Sequence, residues 1–436
     1  MNVTSRPRHP LRLAAAVGAL LLLIAATAAA GTARRSTSTV GGNLTVWCWS
    51  AARDSLKVVD DGFSRAYPDV KVNYVTLNPS DLYQKVQLAT AAGSGFPDVS
   101  CVEDSHLFQF VKLGVLADIT SKVKPYVPKI LAYKWQPAEK GGRYYAMPWD
   151  AGPVALFYRR SVFKHAGIAP TSIHTWADYY KAGVKIKNKL GVAMWIQSKA
   201  QNDARFFETL LWQQGTGYVN AKGDVVLDKD PRVFKALSLM GQMWKAGILA
   251  DQNEWTDPWY KAINDAQTAT LPMAVWMGTF LKSFVAPKTT GDWGVIPLPA
   301  FTPKGSHDAN DGGSALAIFK NTSNMDAAWA YVQYHLGRAD TQSTIYKQVD
   351  IFPGLTSAWR SPYIREPDPY YGNEKVRQVF VDAARHIPRA YVYSSDYQQM
   401  NALMSTEIQK YALGKETAKQ ALANAANEIR TRTGRK

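Results

Sequence analysis

Between residues 44 and 114 the chain alternates strand and helix three times, and this alternation restricts its fold more than any other feature. Leu44-Thr45-Val46-Trp47-Cys48-Trp49 is apolar and β-branched, as a buried strand requires. A loop over 50–54 follows it. Apolar Leu56, Val59, Phe63 and Tyr67 then keep a helical spacing until Pro68-Asp69. Residues 70–75 read as a second strand, and 82–92 as a second helix stopped by Gly93-Ser94-Gly95. Residues 98–102 make a third strand, Glu103-Asp104-Ser105-His106 a loop, and 107–113 a helix closed at Gly114. Strands separated by helices pair in parallel, which predicts an α/β sheet with helices on its faces. Ligands of such sheets bind outside the carboxyl ends of the strands. Trp49-Ser50 and Glu103-Asp104 occupy two of those ends.

The next informative stretch, GGRYYAMPWDAGPVALFYRR at 141–160, changes character midway. Gly141-Gly142 marks a turn, and 143–147 is a short aromatic strand that Pro148 is expected to stop. Trp149-Asp150 and a flexible Ala151-Gly152-Pro153 lead into a new apolar run at 154–158. A large aromatic beside a carboxylate, between two compact regions, suits a flat-faced polar ligand such as a sugar. On these residues alone, a surface loop within one sheet is the simpler reading. Further on, Thr175 caps a helix, Trp255 and Trp259 lie in a polar loop, and 274–278 is a strand with Phe280 behind its Gly turn. Gly312-Gly313-Ser314 is expected to break the chain before a strand at 315–319, and the tail from 374 onward is mostly helical.

The length of 436 residues implies two or more domains. The net charge of +16 comes from basic residues scattered without a long run, which favours a basic solvated surface over a nucleic-acid groove. Arg6, Arg8 and Arg12 precede an apolar stretch at 13–30 that ends in small residues. This reads as a secretory signal peptide over 1–30. Its removal takes three arginines and no acid from +16, leaving +13. Residues 31–42, rich in Ser, Thr and Gly, read as a flexible tether. Cys48 and Cys101 are the only cysteines. An even count in an exported chain permits one disulfide, and two reduced, buried thiols fit equally well. The 14 Trp and 22 Tyr exceed the needs of a core and hint at stacking sites.

No zinc-protease helix, nucleophile elbow, Walker loop or dinucleotide fingerprint is present, and the seven histidines are dispersed. Glu103 with Asp150 could serve a glycoside hydrolase, which needs two carboxylates about a bond. The pairs Tyr144-Tyr145 and Tyr370-Tyr371 raise a ferric-ion binder, although aromatic packing explains them more simply. A polyamine binder, a sensor and an adhesin also fit the composition.

The segments TVWCWS, YPDVKVNYV and LATAAGSGFPDVSCVEDSHLFQFVKLGVLADIT, taken in order, resemble family 1 extracellular solute-binding proteins of ABC importers. The maltose-binding protein belongs to that family. GGRYYAMPWDAGPVALFYRRSVFKHAGI with Thr175-Trp176, WGVIPLP, GGSALAIFKNTSNMDAAWAYVQYHL and ALANAANEI extend the resemblance over about residues 43–430. It implies a two-lobe periplasmic-binding-protein type II fold with a ligand cleft at a multi-crossing hinge. Lobe 1 would be 43–150 with 315–362, and lobe 2 would be 152–313 with 365–436. Carried over by position, the ligand residues would be Trp49, Ser50, Glu103, Asp104, Trp149, Asp150, Trp276, Gly278, Phe280, Gly312 and Gly313. Tyr397 would be a late aromatic, and Trp255 joins from its exposed loop. The implied ligand is a carbohydrate and the implied partners are membrane permease subunits, with no catalysis, cofactor, metal or nucleic acid and a monomeric state. Family members of single-membrane bacteria commonly carry a lipid-bearing cysteine after the signal. Thr32 stands there in this chain, which argues against a lipid anchor and leaves the basic surface to hold the protein near an anionic wall.

Overall fold

A seven-stranded mixed sheet organises the computed structural model, which describes residues 40–199 and 203–436. The signal over 1–30 and most of the tether over 31–42 lie outside the described residues. The first part follows the alternation: β1 (Gly42–Cys48), β2 (Val70–Thr76) and β3 (Val99–Glu103), with β1 parallel to both others. The helices differ in detail. Residues 50–54 form the start of α1 (Ser50–Lys57), and the run read as one helix over 56–67 is interrupted before α2 (Asp60–Ala66). Helix α3 spans Pro79–Ala92. Helix α4 (Asp104–Leu113) begins directly after β3, so Asp104, Ser105 and His106 are helical rather than looped.

Two long strands then run side by side. Strand β4 (Ala146–Arg159) continues through Pro148 and Ala151-Gly152-Pro153, which were expected to stop it and to flex. Its first half pairs antiparallel with a strand that extends unbroken through Gly312-Gly313-Ser314, the expected chain break. Its second half pairs with β5 (Thr270–Ala274) and β6 (Trp293–Ile296). The partner of the first half is β7 (Asn310–Ile318), which also pairs with β3. Pro148 is tolerated because it faces Ala315 beside the register shift between Gly313 and Ala315, where a ladder donor can be spared. Gly312 and Gly313 adopt φ of 79° and 103°, a region that glycine enters without steric cost, and so they bulge the strand instead of ending it.

Two apolar cores flank this ribbon. The smaller holds Leu44, Phe63, Leu107, Met147, Trp149 and Ala315–Phe319, and the larger holds Ala151, Val154–Tyr158, Trp259, Trp293 and the tail helices. The chain therefore changes core between Trp149 and Ala151. The segment 346–362, expected wholly in the first lobe, divides: Tyr346, Phe352 and Trp359 join the larger core and Leu355 the smaller. No described helix is long and apolar enough to cross a membrane.

Cys48, at the end of β1, and Cys101, in the middle of neighbouring β3, are bonded to each other and fully buried. The bond closes a separation of 53 residues. Chain entropy for such a loop gives about 4 kcal/mol of stabilisation. A Cys48→Ala/Cys101→Ala variant is expected to melt at clearly lower temperature than the oxidised protein. Coincident melting curves would refute a stabilising disulfide.

Candidate functional site: an aromatic cavity at the strand crossing

A cavity of about 370 Å³ opens where β4 and β7 pass between the cores. Each wall follows from the fold. Trp49 leaves the end of β1 and Glu103 ends β3, the carboxyl-end positions expected of ligand residues. Trp149 and Asp150 come from β4, and Gly312 and Gly313 from the bulge of β7. On the opposite side, Trp276 precedes α5 (Met277–Phe280), so it sits at a helix start and not on the expected strand. Phe280 closes that helix. Trp255 is held at φ 62°, an unusual backbone for a bulky residue, and all three rings line the cavity. Trp255 lies 6.0 Å from Trp276 and 5.5 Å from Phe280 between ring centres. Phe280 in turn lies 5.9 Å from Trp276.

The polar groups are only partly free. Asp150 Oδ1 accepts from the Ser314 N–H at 2.8 Å and from the Ser314 hydroxyl, which ties β4 to β7. Asp150 Oδ2 carries no hydrogen bond from a described residue and remains for the cavity. Glu103 Oε2 accepts from the Tyr83 hydroxyl at 2.8 Å, and recession in the cleft raises its carboxyl above the usual range against the pull of Tyr83 and Arg205. His106 stacks on Tyr83 at 3.6 Å, and burial lowers its pKa to about 4, so it is neutral. The Trp276 Nε1–H donates to the Asp311 carbonyl at 3.0 Å, which fixes the ring against β7.

Four expected ligand residues point elsewhere. Ser50 is exposed at the first turn of α1 and does not line the cavity. Asp104 is 3% exposed and pairs with the fully buried Lys134 beneath the crossing, because the start of α4 turns it inward. Gly278 is buried under Tyr371, whose hydroxyl would stand 2.7 Å from an added Cβ. Tyr397 donates to Glu208 Oε2 at 3.0 Å inside the larger core. Trp149 lines the cavity but is only 2% exposed, so it is a core residue with one edge at the cleft. The tyrosine pairs are packing groups: Tyr144 sits on Trp135 at 5.0 Å, and Tyr370 donates to the Ala286 carbonyl at 2.9 Å.

Arg205, Phe284, Ser314 and Ile351 also line the cavity and escaped the sequence reading. Arg205 begins α6 (Arg205–Gln213), a helix that reads from the sequence as an ordinary amphipathic segment. The bulge pattern around Gly312-Gly313 could have flagged its neighbour Ser314.

A two-lobed α/β binding fold, with its cleft at a hinge of crossing strands, is what this architecture and cavity define. The family follows: residues 52–342 match the model of the bacterial extracellular solute-binding proteins, and the chain belongs to that family. The arabinooligosaccharide-binding protein of Bacillus subtilis (strain 168) is 26% identical over 402 residues, 89% of this chain and 92% of its own. The lactose-binding protein of Rhizobium radiobacter is 23% identical over 363 residues, 81% of this chain and 84% of its own. Among solved structures, the ABC transporter associated binding protein from B. animalis subsp. lactis Bl-04 in complex with beta-1,6-galactobiose is similar with a TM-score of 0.76. It is 26% identical and the match covers 89% of this chain and 97% of that one.

Three carboxyls around the crossing share one pKa direction. Burial raises Asp104 to about 6, Glu208 to about 7 and Glu254 to about 8. For Glu208, burial prevails over donors from Tyr218, Asn401 and Tyr397. A carboxyl raised by folding takes up a proton as the chain folds, so its stabilisation is complete below the unfolded pKa and is lost as pH rises through the folded one. The ligand-free protein is expected to lose unfolding free energy as pH climbs from about 4.5 to 8. In urea titrations, Glu208→Gln should remove on the order of 3 kcal/mol of that fall. A wild-type profile flat over the window would refute this assignment.

Proposed function

We propose that the protein is the extracytoplasmic binding component of an ABC importer, and that it captures a di- or oligosaccharide and presents it to a membrane permease. One observation carries the reading. Ten of the 14 tryptophans are buried in the cores, and three of the other four, Trp49, Trp255 and Trp276, line the aromatic cavity at the strand crossing. A pyranose offers apolar C–H faces to such rings and a fringe of hydroxyls to Asp150, Glu103 and backbone groups. The relatives bind arabinooligosaccharides and lactose, and the structural neighbour holds a galactobiose, which supports the carbohydrate class. A cavity of about 370 Å³ suits a disaccharide-sized ligand.

The lobes are assigned as 43–150 with most of 315–345, and 152–313 with 365–436; the stretch between them belongs to both. Closure on the sugar requires only that the ligand favour the closed arrangement over the open one. The protein works as a monomer without cofactor. It is a binder and not an enzyme, a reading supported by its membership of a family of solute-binding proteins.

A thermal-shift panel of neutral oligosaccharides tests the reading. Saturation at a thousandfold excess over Kd stabilises by about 4 kcal/mol. Trp276→Ala and Trp255→Ala should remove that shift while the ligand-free melt stays near wild type. Trp149→Ala should instead cost about 3–5 kcal/mol with or without sugar, as expected for a core indole. Release of sugar hydrolysis products would overturn the binding role. Retention at the envelope rests on the basic surface of a chain that carries +13 once its signal is removed. High salt is therefore expected to free the protein from washed cells, and a requirement for detergent would show an anchor instead.

A further inference from the structure

Arg205 enters the cavity with its guanidinium over Trp276, 5.7 Å from the ring centre. Three carboxyl groups surround it. Asp203 and Glu254 stand 3.9 and 4.0 Å from Nε, and Asp311 stands 3.9 Å from Nη1. These distances compensate the charge but exceed hydrogen-bond length. Nε is buried without a hydrogen-bond partner, and among the described residues no oxygen accepts from the guanidinium. Arg205 is therefore compensated in charge while its Nε lacks an acceptor. A guanidinium presents its N–H groups in a planar fork that matches two neighbouring oxygens. The indole beside it cannot take that role, because the Trp276 N–H is committed to the Asp311 carbonyl.

The charge count decides which oxygens fit. An arginine in a cleft is commonly a carboxylate receptor. Here one cation already faces Asp203 and Asp311, beside a Glu254 that burial keeps as a neutral acid near pH 7, and Glu103 and Asp150 line the same cavity. A second anion brought to the fork would meet several carboxylates at short range in a recessed site, where like charges repel strongly. We propose, on the carbohydrate reading, that Arg205 is a specificity-determining residue: its fork binds adjacent hydroxyls of a neutral sugar, and its aspartate neighbours Asp203 and Asp311 exclude uronic acids and sugar phosphates. Burial raises Glu254 to about 8 and pushes Asp311 in the same direction, so the recess disfavours any further negative charge brought into it.

Calorimetry on the full protein with matched sugars tests the filter. The pairs are α-1,4-galactobiose with α-1,4-digalacturonate, cellobiose with cellobiouronate, and xylobiose with its 4-O-methylglucuronyl derivative, run beside lactose and arabinobiose. The best neutral sugar is expected to bind at least tenfold tighter than any acidic one. An acidic sugar that equals or exceeds the best neutral sugar overturns the filter. Asp203→Asn/Asp311→Asn should shrink the neutral-to-acidic ratio several-fold, a readout that a merely structural role would not move. Arg205→Gln should weaken neutral sugars at least tenfold, with Arg205→Lys restoring only part. Unchanged affinity and unchanged selectivity in Arg205→Gln overturns the role of Arg205 and leaves the carbohydrate reading standing. Silence of every sugar with the wild type overturns that reading itself.

Discussion

The structure depends on the close pairing of β4 with β7 where they pass between the cores. At Gly152 an added Cβ would lie 1.9 Å from the Asp311 carbonyl, so the two backbones touch and no other residue fits without moving a strand. Asp150 bonds Ser314 from the cavity side. From below, Lys134 and Asp104 form a fully buried ion pair, and an added Cβ at Gly313 would stand 2.4 Å from the Lys134 ammonium. Such a pair stabilises little relative to apolar packing, yet loss of either partner leaves a buried charge that costs about 3–5 kcal/mol. The pair thus specifies the hinge more than it strengthens it.

The ligand wall is built on the same ribbon. Glu103, Trp149, Asp150 and Gly312 are fixed by sheet pairing, whereas Trp255, Trp276 and Phe280 stand on a short helix and a loop of the other lobe. A sugar between these walls gains contacts to both only when they approach. That differential affinity is what shifts an open–closed equilibrium.

Alternation of apolar and polar residues exposed the α/β class and the strand-end positions Trp49 and Glu103, because both follow from local periodicity. The crossing was harder. Pro148, Gly152 and Gly312-Gly313 read locally as breakers, but pairing partners far away in sequence hold them in continuous strands. Asp104 looked like a neighbour of Glu103 with the same role. Its direction is set by the first turn of α4, which no composition reveals. Arg205 was invisible for a related reason: its place beside Trp276 depends on segments far apart in the chain. The tryptophan surplus misled in number and was informative in kind, since most indoles serve the cores and only a few reach the cleft.

The cleft therefore combines two kinds of constraint that act on different features of a ligand. The aromatic wall selects shape, because flat apolar faces stack on indole whatever their substituents. It cannot by itself discriminate a neutral sugar from an oxidised one of the same ring geometry. Charge must do that, and the cleft places one guanidinium among three carboxyl groups at distances beyond hydrogen-bond length, two of them the aspartates Asp203 and Asp311. A donor held in this state gains most from an uncharged oxygen, since the repulsion that accompanies an anionic one offsets the bond it would form. Shape from the rings and charge class from Arg205 are set by separate residues, so substitution at either can change one property of the site and leave the other.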